Sequence, residues 1–471
     1  MKAEENSDKT KTVPINLTSK MLFQEDGSDF WSRPNDKRQK PNESFDQGTI
    51  EMGMAEFRKE QSPDHDPIAE LESTVEGSET QRNRVSTTIE IAERQHSSTS
   101  DIGDETIQYA ESRHSKQNTE PTLEIDFSKI DGWMQSEKKK TGDSSDQFKS
   151  LLVVEEKEHF LAQVVSRDMD ELPVNNVRIK VEYSSLNYKD ALAIAGQPGV
   201  AKSYPHVPGI DAAGVVEDDP NGNFQKGDRV IVTGFDLGVG ISGGLSEYIC
   251  VPEDWVVPMP EKMTSRDAMM YGTAGLTAGL CVDLIIKHGV SKHHPILVTG
   301  ASGGVGMLSI TILSKLGYKV TAASRKENEF DYLIEMGASE TVHSDRILLD
   351  SQYALMQQQW GAVIDTLGGV FLEAAIKGTN YGGLVCSCGL AYDSGLNINV
   401  FPFILRAVLL QGIDTVRTDM KLRKRIWKKL ANKWKPDNLE EMVREIELSD
   451  VPHAAFDMLE GKHKGRTIVA L

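Results

Sequence analysis

Residues 295–317 read PILVTGASGGVGMLSITILSKLG, and the fold turns on them. Ile296 to Thr299 form a short apolar run of the kind that makes a buried strand. Gly300, Gly303, Gly304 and Gly306 follow, and Val305, Leu308, Ile312 and Leu313 then recur at helical spacing. In a strand, glycine turn and helix of this kind, a pyrophosphate can approach backbone N–H groups at the helix N-terminus, where any Cβ would block it. Ser302 lies in the same turn. A tight turn with no ligand is the alternative, but a second apolar strand, KVTAAS (319–324), follows the helix as a dinucleotide-binding unit requires.

A NAD enzyme places Asp or Glu at the end of that second strand to hold the adenosine ribose. This chain has Ser324, Arg325 and Lys326 there. A hydroxyl and two cations suit a 2′-phosphate, so NADPH is the expected cofactor, against the alternative of a solvated basic loop. Downstream, FDYLIEMGA (330–338) reads as a helix ended by Gly337, GAVIDTLGG (361–369) as a strand and a turn, and GGLVCSCG (382–389) as a further strand. Strands alternating with helices predict a doubly wound parallel sheet, the Rossmann arrangement of the α/β class.

Residues 148–270 have another texture. Short alternating strands such as VRIKVEYSSL (177–186) and DRVIVTGF (228–235), separated by Gly, Pro and Asp turns, predict a β-rich antiparallel domain. Near the end, LRKRIWKKLANKW (422–434) is a basic amphipathic helix. It could face a membrane or an acidic partner, but Ile426, Trp427 and Leu430 are expected to pack it on the body.

The first 147 of the 471 residues differ again. They hold 19 Lys and Arg against 31 Asp and Glu, net −12 of the chain's −19, and no cysteine. Such a segment cannot bury enough apolar surface to offset chain entropy and is expected to be a disordered N-terminal extension. MLFQEDGSDFW (21–31) and LEIDFSKIDGWM (123–134) mix aromatics with acids and are candidate docking motifs for an unidentified protein partner; an inert tail is the alternative. Four scattered cysteines (Cys250, Cys281, Cys386, Cys388) fit reduced thiols in a cytoplasmic enzyme. No apolar stretch is read as approaching the roughly 20 residues that cross a bilayer, and the acidic balance disfavours nucleic acid.

The order β-domain, Rossmann domain, return segment resembles the medium-chain dehydrogenase/reductase superfamily. SSLNYKDALAIAG (184–196), PHVPGIDAAG (205–214), GGLSEY (243–248), YGTAGLTAGLCV (271–282), VTGASGGVG (298–306), NYGGLVCSCGLA (380–391) and FPFILRAVLLQGIDTV (401–416) are similar to one branch of it, the metal-free, quinone-oxidoreductase-like acrylyl-CoA reductase family. The resemblance covers roughly residues 148–471. It implies a GroES-like catalytic domain in 148–270, a Rossmann domain in 271–418 and a return segment in 419–471 that completes the first.

The resemblance also implies a site. The zinc-dependent relatives carry a Gly-His-Glu turn where this chain has PGID, so Ile210 stands in place of the histidine ligand and Asp211 in place of the glutamate. No catalytic zinc is expected, because a tetrahedral site needs the missing soft or imidazole ligands. Asp211 is then expected to be a turn-fixing acceptor of backbone hydrogen bonds. Asn187, Tyr188 and Asp190 are the candidate catalytic residues, with Tyr188 against the nicotinamide and Asp190 a structural hydrogen-bonder rather than a base. Further implied cofactor contacts are Ser302 to Val305 at the pyrophosphate, Ser324 to Lys326 at the 2′-phosphate, and Leu390, Ile404, Thr415 and Arg466. Where the family often has another arginine, this chain has Ser344, so Arg346 or His343 would have to substitute.

The implied activity is metal-free, NADPH-dependent reduction of the conjugated C=C of a short enoyl-CoA, acryloyl-CoA to propanoyl-CoA. An NADPH:quinone or alkenal reductase and a non-catalytic NADPH-binding scaffold are the alternatives. A homodimer through the edge strand LLQGID (409–414) is carried over from the same likeness.

Overall fold

The computed structural model describes residues 147–471, except 157, 158 and 175. The acidic N-terminal extension and its two candidate docking motifs lie outside the described residues.

The described chain opens with a hairpin, β1 (Gln147–Glu156) and β2 (His159–Asp168), paired antiparallel along their whole length. β3 (Val177–Leu186), helix α1 (Tyr188–Ile194), β4 (Asp211–Asp218), β5 (Arg229–Thr233), β6 (Tyr248–Val251) and β7 (Val257–Pro258) follow. The alternation read in VRIKVEYSSL is the alternation seen: Val177, Ile179 and Val181 face inward with Val216, Val230, Val232 and Ile249.

Helix α2 (Ser265–His288) then leads into the parallel sheet. Thr264 caps its N-terminus, accepting from Asp267 N, and Gly289 at φ 80° ends it. β8 (Ile296–Val298), α3 (Gly304–Lys315), β9 (Val320–Ser324), α4 (Phe330–Glu335), β10 (Glu340–His343), β11 (Trp360–Asp365), α5 (Gly369–Gly378), β12 (Thr379–Ser387), α6 (Phe401–Arg406) and β13 (Leu409–Gly412) complete this lobe. The sheet order is β10-β9-β8-β11-β12-β13, every pair parallel, which is the doubly wound arrangement expected. The chain reverses its winding between β8 and β11, so ligands belong outside the carboxyl ends of those strands.

One expectation fails. By length and composition α2 is apolar enough to cross a membrane, although no such stretch was read in the sequence. Its small polar and glycine residues (GTAGLTAG) masked the run. In the fold 83% of that window is buried, and α2 is the central core helix.

The chain returns through α7 (Met420–Leu430), β14 (Val443–Glu447), α8 (Val451–Leu459) and β15 (Arg466–Ala470). β15 inserts between β14 and β3, giving a seven-stranded sheet in the order β14-β15-β3-β4-β5-β7, with β6 also on β3. It is antiparallel as expected, except for the parallel pair β14–β15. α7 is the basic amphipathic helix foreseen, and Ile426, Trp427 and Leu430 are fully buried. Gly279 of α2 makes room for it, since a Cβ there would stand 2.5 Å from Ile426 Cγ2. Several of its cations are used locally: Asp283 of α2 accepts from Lys429 (2.5 Å) and Arg425 (3.2 Å).

Arg423, on the buried face of α7, was not foreseen. Its guanidinium donates to Thr233 O (2.7 Å), Thr233 Oγ1 (2.8 Å), Thr415 O (2.9 Å) and Val416 O (3.0 Å), and lies over the Phe235 ring. It clamps the end of β5 to the chain leaving the parallel sheet. Arg423→Met, which leaves those acceptors buried without donors, is expected to cost about 3 kcal/mol, seen as a lower urea midpoint. An unchanged midpoint would remove the clamp.

Candidate active site

The phosphate loop has the geometry its glycines require. Gly300 sits at φ 56°, and a Cβ there would collide with Thr366 Oγ1. Gly303 is the N-cap of α3, supplies no side-chain cap, and a Cβ on it would meet only Gly300 O, at 3.3 Å. The twelve-residue helix thus begins without a side-chain cap on its first backbone N–H groups, the groups an anion at a helix N-terminus uses. Ser302 is buried, and its carbonyl accepts from Gly465 N at 2.9 Å.

At the adenosine end, Ser324 closes β9, buried, with Oγ accepting from Lys326 N (3.1 Å). Arg325 is exposed, whereas Lys326 Nζ donates to His463 O (2.7 Å) and lies 3.5 Å from Glu329. His343 of β10 stands opposite Ser324 in register, Ser344 is buried, and Arg346 is exposed. Of the remaining expected cofactor contacts, Thr415 is buried with its hydroxyl 2.7 Å from that of Thr277, while Leu390 and Ile404 are exposed side chains.

The catalytic-lobe side of the crevice is built on buried charges. Asp211 is fully buried at the head of β4 and accepts from Ser185 Oγ (2.7 Å), Asn187 Nδ2 (2.7 Å), Thr273 N (2.8 Å) and Thr273 Oγ1 (2.6 Å). The expected turn-fixing role is thereby corrected: three of the four donors are side chains, and they come from β3, the cap of α1, and α2. Asp190 fixes the turn instead, accepting Asn187 N and Ile210 N, each at 2.9 Å. Asn187 has its amide fully engaged, for its Oδ1 accepts from Arg466 Nη1 at 3.2 Å. Arg466 itself is buried, and also donates to Met270 O (3.2 Å) and Ser185 Oγ (2.8 Å). Tyr188, the first residue of α1, is 42% exposed.

Thr273 and Gly272 were missed by sequence reading. Gly272 is at φ 53° inside α2, and a Cβ there would collide with Asp211 Oδ2 and stand 2.5 Å from Ser185 Oγ. A glycine inside the apolar run YGTAG was the available signal. A zinc ion does not fit this place: Ile210 is an apolar, buried side chain, and both oxygens of Asp211 are hydrogen-bonded within the protein. Among the described residues no group of three His, Cys, Asp or Glu is placed to hold a metal. The hollow lined by His293, Lys319 and Glu340 lies at the amino ends of β8 to β10, away from the crevice.

Comparison with known proteins agrees with this layout. The alcohol dehydrogenase GroES-like domain pattern matches residues 173–261, and that of the zinc-binding dehydrogenases matches 304–432. The acrylyl-CoA reductase AcuI of Ruegeria pomeroyi is 40% identical over 325 residues, 68% of this chain and 98% of that one. The putative quinone oxidoreductase YhfP of Bacillus subtilis is 40% identical over 326 residues, 69% of this chain and 99% of that one. A Bacillus subtilis yhfP crystal structure with NAD bound superposes with a TM-score of 0.67, covering 69% of this chain and 100% of that one, at 40% identity. The Salmonella enterica yhdH oxidoreductase, crystallised with NADP, gives a TM-score of 0.67 at 38% identity, covering 69% of this chain and 99% of that one.

The buried carboxyls carry a pH signature. Burial, and then repulsion from Asp211, push the Asp190 carboxyl up to about 7. The folded protein thus holds a proton that the unfolded chain, near 3.9, has released. The stability this contributes is full below about pH 4 and is lost as the pH rises through about 7. Unfolding midpoints of the wild type should therefore fall relative to those of Asp190→Asn across that window. Parallel curves would count against it.

Proposed function

The chain belongs to the medium-chain dehydrogenase/reductase superfamily, in the branch shared by acrylyl-CoA reductases and YhfP-type quinone oxidoreductases, and on that premise we propose that this oxidoreductase uses NADPH to reduce the conjugated C=C of a short enoyl-CoA, acryloyl-CoA to propanoyl-CoA. The observation that carries the substrate class is the 40% identity to the Ruegeria pomeroyi acrylyl-CoA reductase over 98% of that enzyme.

The residues present fit the dinucleotide. The N-terminus of α3, which has no side-chain cap, would take the pyrophosphate, and Ser324, Arg325 and Lys326 would take a 2′-phosphate. NADPH, when bound, supplies a hydride for the β-carbon of the conjugated double bond. A proton must then reach the α-carbon, and the negative charge that develops on the thioester oxygen needs a hydrogen-bond donor in a dry site.

Tyr188 is the candidate for one of these tasks, because it is part-exposed at the start of α1 while its neighbours Asn187 and Asp190 are buried. Asn187 and Asp190 are positioning residues in this scheme. They cap α1 and so set where Tyr188 projects. Asp211 and Arg466 in turn hold Asn187. Preorganisation of this kind gains rate by sparing the reacting groups a search for geometry.

A second reading, reduction of quinones or alkenals, is favoured by the equal identity to YhfP. We also propose, for either substrate, that a second copy pairs along β13, an edge strand of the parallel sheet.

Oxidation of NADPH followed by absorbance, with acryloyl-CoA, crotonoyl-CoA and a benzoquinone side by side, decides among these. The highest kcat/KM is expected with acryloyl-CoA, and a preference for the quinone would replace the first reading by the second. Tyr188→Phe is expected to lower kcat by about tenfold to a hundredfold if the phenol gives the proton, with little change in the KM for NADPH. An unchanged kcat would assign the proton elsewhere.

A further inference from the structure

Helix α7 carries its cations in two groups. Those on its flanks are used inside the protein: Arg425 and Lys429 donate to Asp283 of α2, and Lys435, just past the helix, donates to Asp267. Those on its outer face are not. Lys421, Lys424 and Lys428 recur at i, i+3 and i+7 and are exposed, with exposed Arg417 before them and exposed Lys433 after them. Among the described residues no carboxylate pairs with these five. Asp414 and Asp419, beside them in sequence, accept from backbone N–H groups, and Asp437 is paired with Lys315. Like charges four apart on one helix face repel, as at Lys424 and Lys428, until something opposes them.

The chemistry of the opposing group can be narrowed. The apolar face of α7 is already occupied, with Ile426, Trp427 and Leu430 buried in the core, so the helix has none left to sink into a bilayer. The body around it, residues 148–471, has 33 Lys and Arg against 40 Asp and Glu, a balance that repels nucleic acid at long range. An acidic polypeptide fits, and the chain has its own. Residues 64–79, DHDPIAELESTVEGSE, lie outside the described residues and hold six acids with no Lys or Arg. They belong to the run between Lys59 and Arg82, which has seven acids, whereas no other run between cations of the extension has more than four. The 67 residues between Glu79 and Gln147, at about 3.3 Å each when extended, are long enough to lay this run on any face of the body.

We propose that the outer face of α7 is a docking surface for the protein's own acidic extension, with residues 64–79 as the occupant and Lys421, Lys424 and Lys428 as its contacts.

Each contact is an exposed ion pair and weak by itself. The tether makes docking an intramolecular step, so several weak pairs act together. Salt releases it, because the screening length falls from about 10 Å at 0.1 M to about 3 Å at 1 M.

Carbodiimide coupling joins a carboxylate to an amine only where the two touch. A mixture of isotope-labelled and unlabelled full-length protein, coupled in low salt and in about 1 M NaCl, is mapped by mass spectrometry. Links from Glu70, Glu72 and Glu76 to Lys421, Lys424 and Lys428 are expected within one chain, falling about tenfold in high salt. Acetylation of the same lysines gives a second readout. It is expected to run about fivefold slower in the wild type than in the variant Glu70→Gln, Glu72→Gln, Glu76→Gln at low salt, with NADPH oxidation equal in both. Links spread over the exposed lysines of the body, or equal acetylation rates, overturn the proposal. Links between labelled and unlabelled chains replace the occupant by a second copy, and sedimentation with phosphatidylserine vesicles in low salt replaces it by a membrane.

Discussion

Asp211 is a carboxylate sealed from water, and a charge in that position must be paired and hydrogen-bonded or it unfolds what surrounds it. Its four donors come from the end of β3, the cap of α1 and the kink of α2. The helix that leads into the parallel sheet is thereby held to the lobe that carries Tyr188. Arg466, buried and donating to Asn187 Oδ1 and Ser185 Oγ, brings the last strand of the chain to the same point. Four segments far apart in sequence thus meet at one electrostatic knot.

The knot explains local choices that look costly in isolation. Gly272 lies at positive φ inside a helix because a side chain would displace the donors of Asp211. Asp190 sits near a second carboxylate by keeping its proton up to about pH 7, while two backbone N–H groups reach its oxygens. Arg423 does for the chain leaving the parallel sheet what Asp211 does for the chain entering it, gathering four acceptors around one buried guanidinium. Both crossings between lobes are held by a buried charge with its partners, and the crevice between them inherits that definition.

Much of the fold was legible because it is written in local periods. The glycine loop before α3, the alternation of β3, the apolar face of α7 and the Ser-Arg-Lys end of β9 each announce themselves within a dozen residues. Reading failed where a local pattern had two meanings. α2 hid as a small-residue stretch, although it is apolar enough for a membrane, because glycine and threonine dilute its hydropathy while letting α7 pack close. Asp211, next to a proline and glycines, read as the pin of a turn.

The sequence alone determined the sheet types, the phosphate loop and the family likeness, because hydrophobic period, glycine spacing and block similarity are properties of contiguous residues. Only the tertiary structure decided what each buried polar group holds. Asp211 meets Thr273 across 62 positions, Arg466 meets Asn187 across 279, and His463 meets Lys326 across 137. A buried donor takes whichever acceptor the packed chain brings within about 3 Å, and no local pattern records that choice.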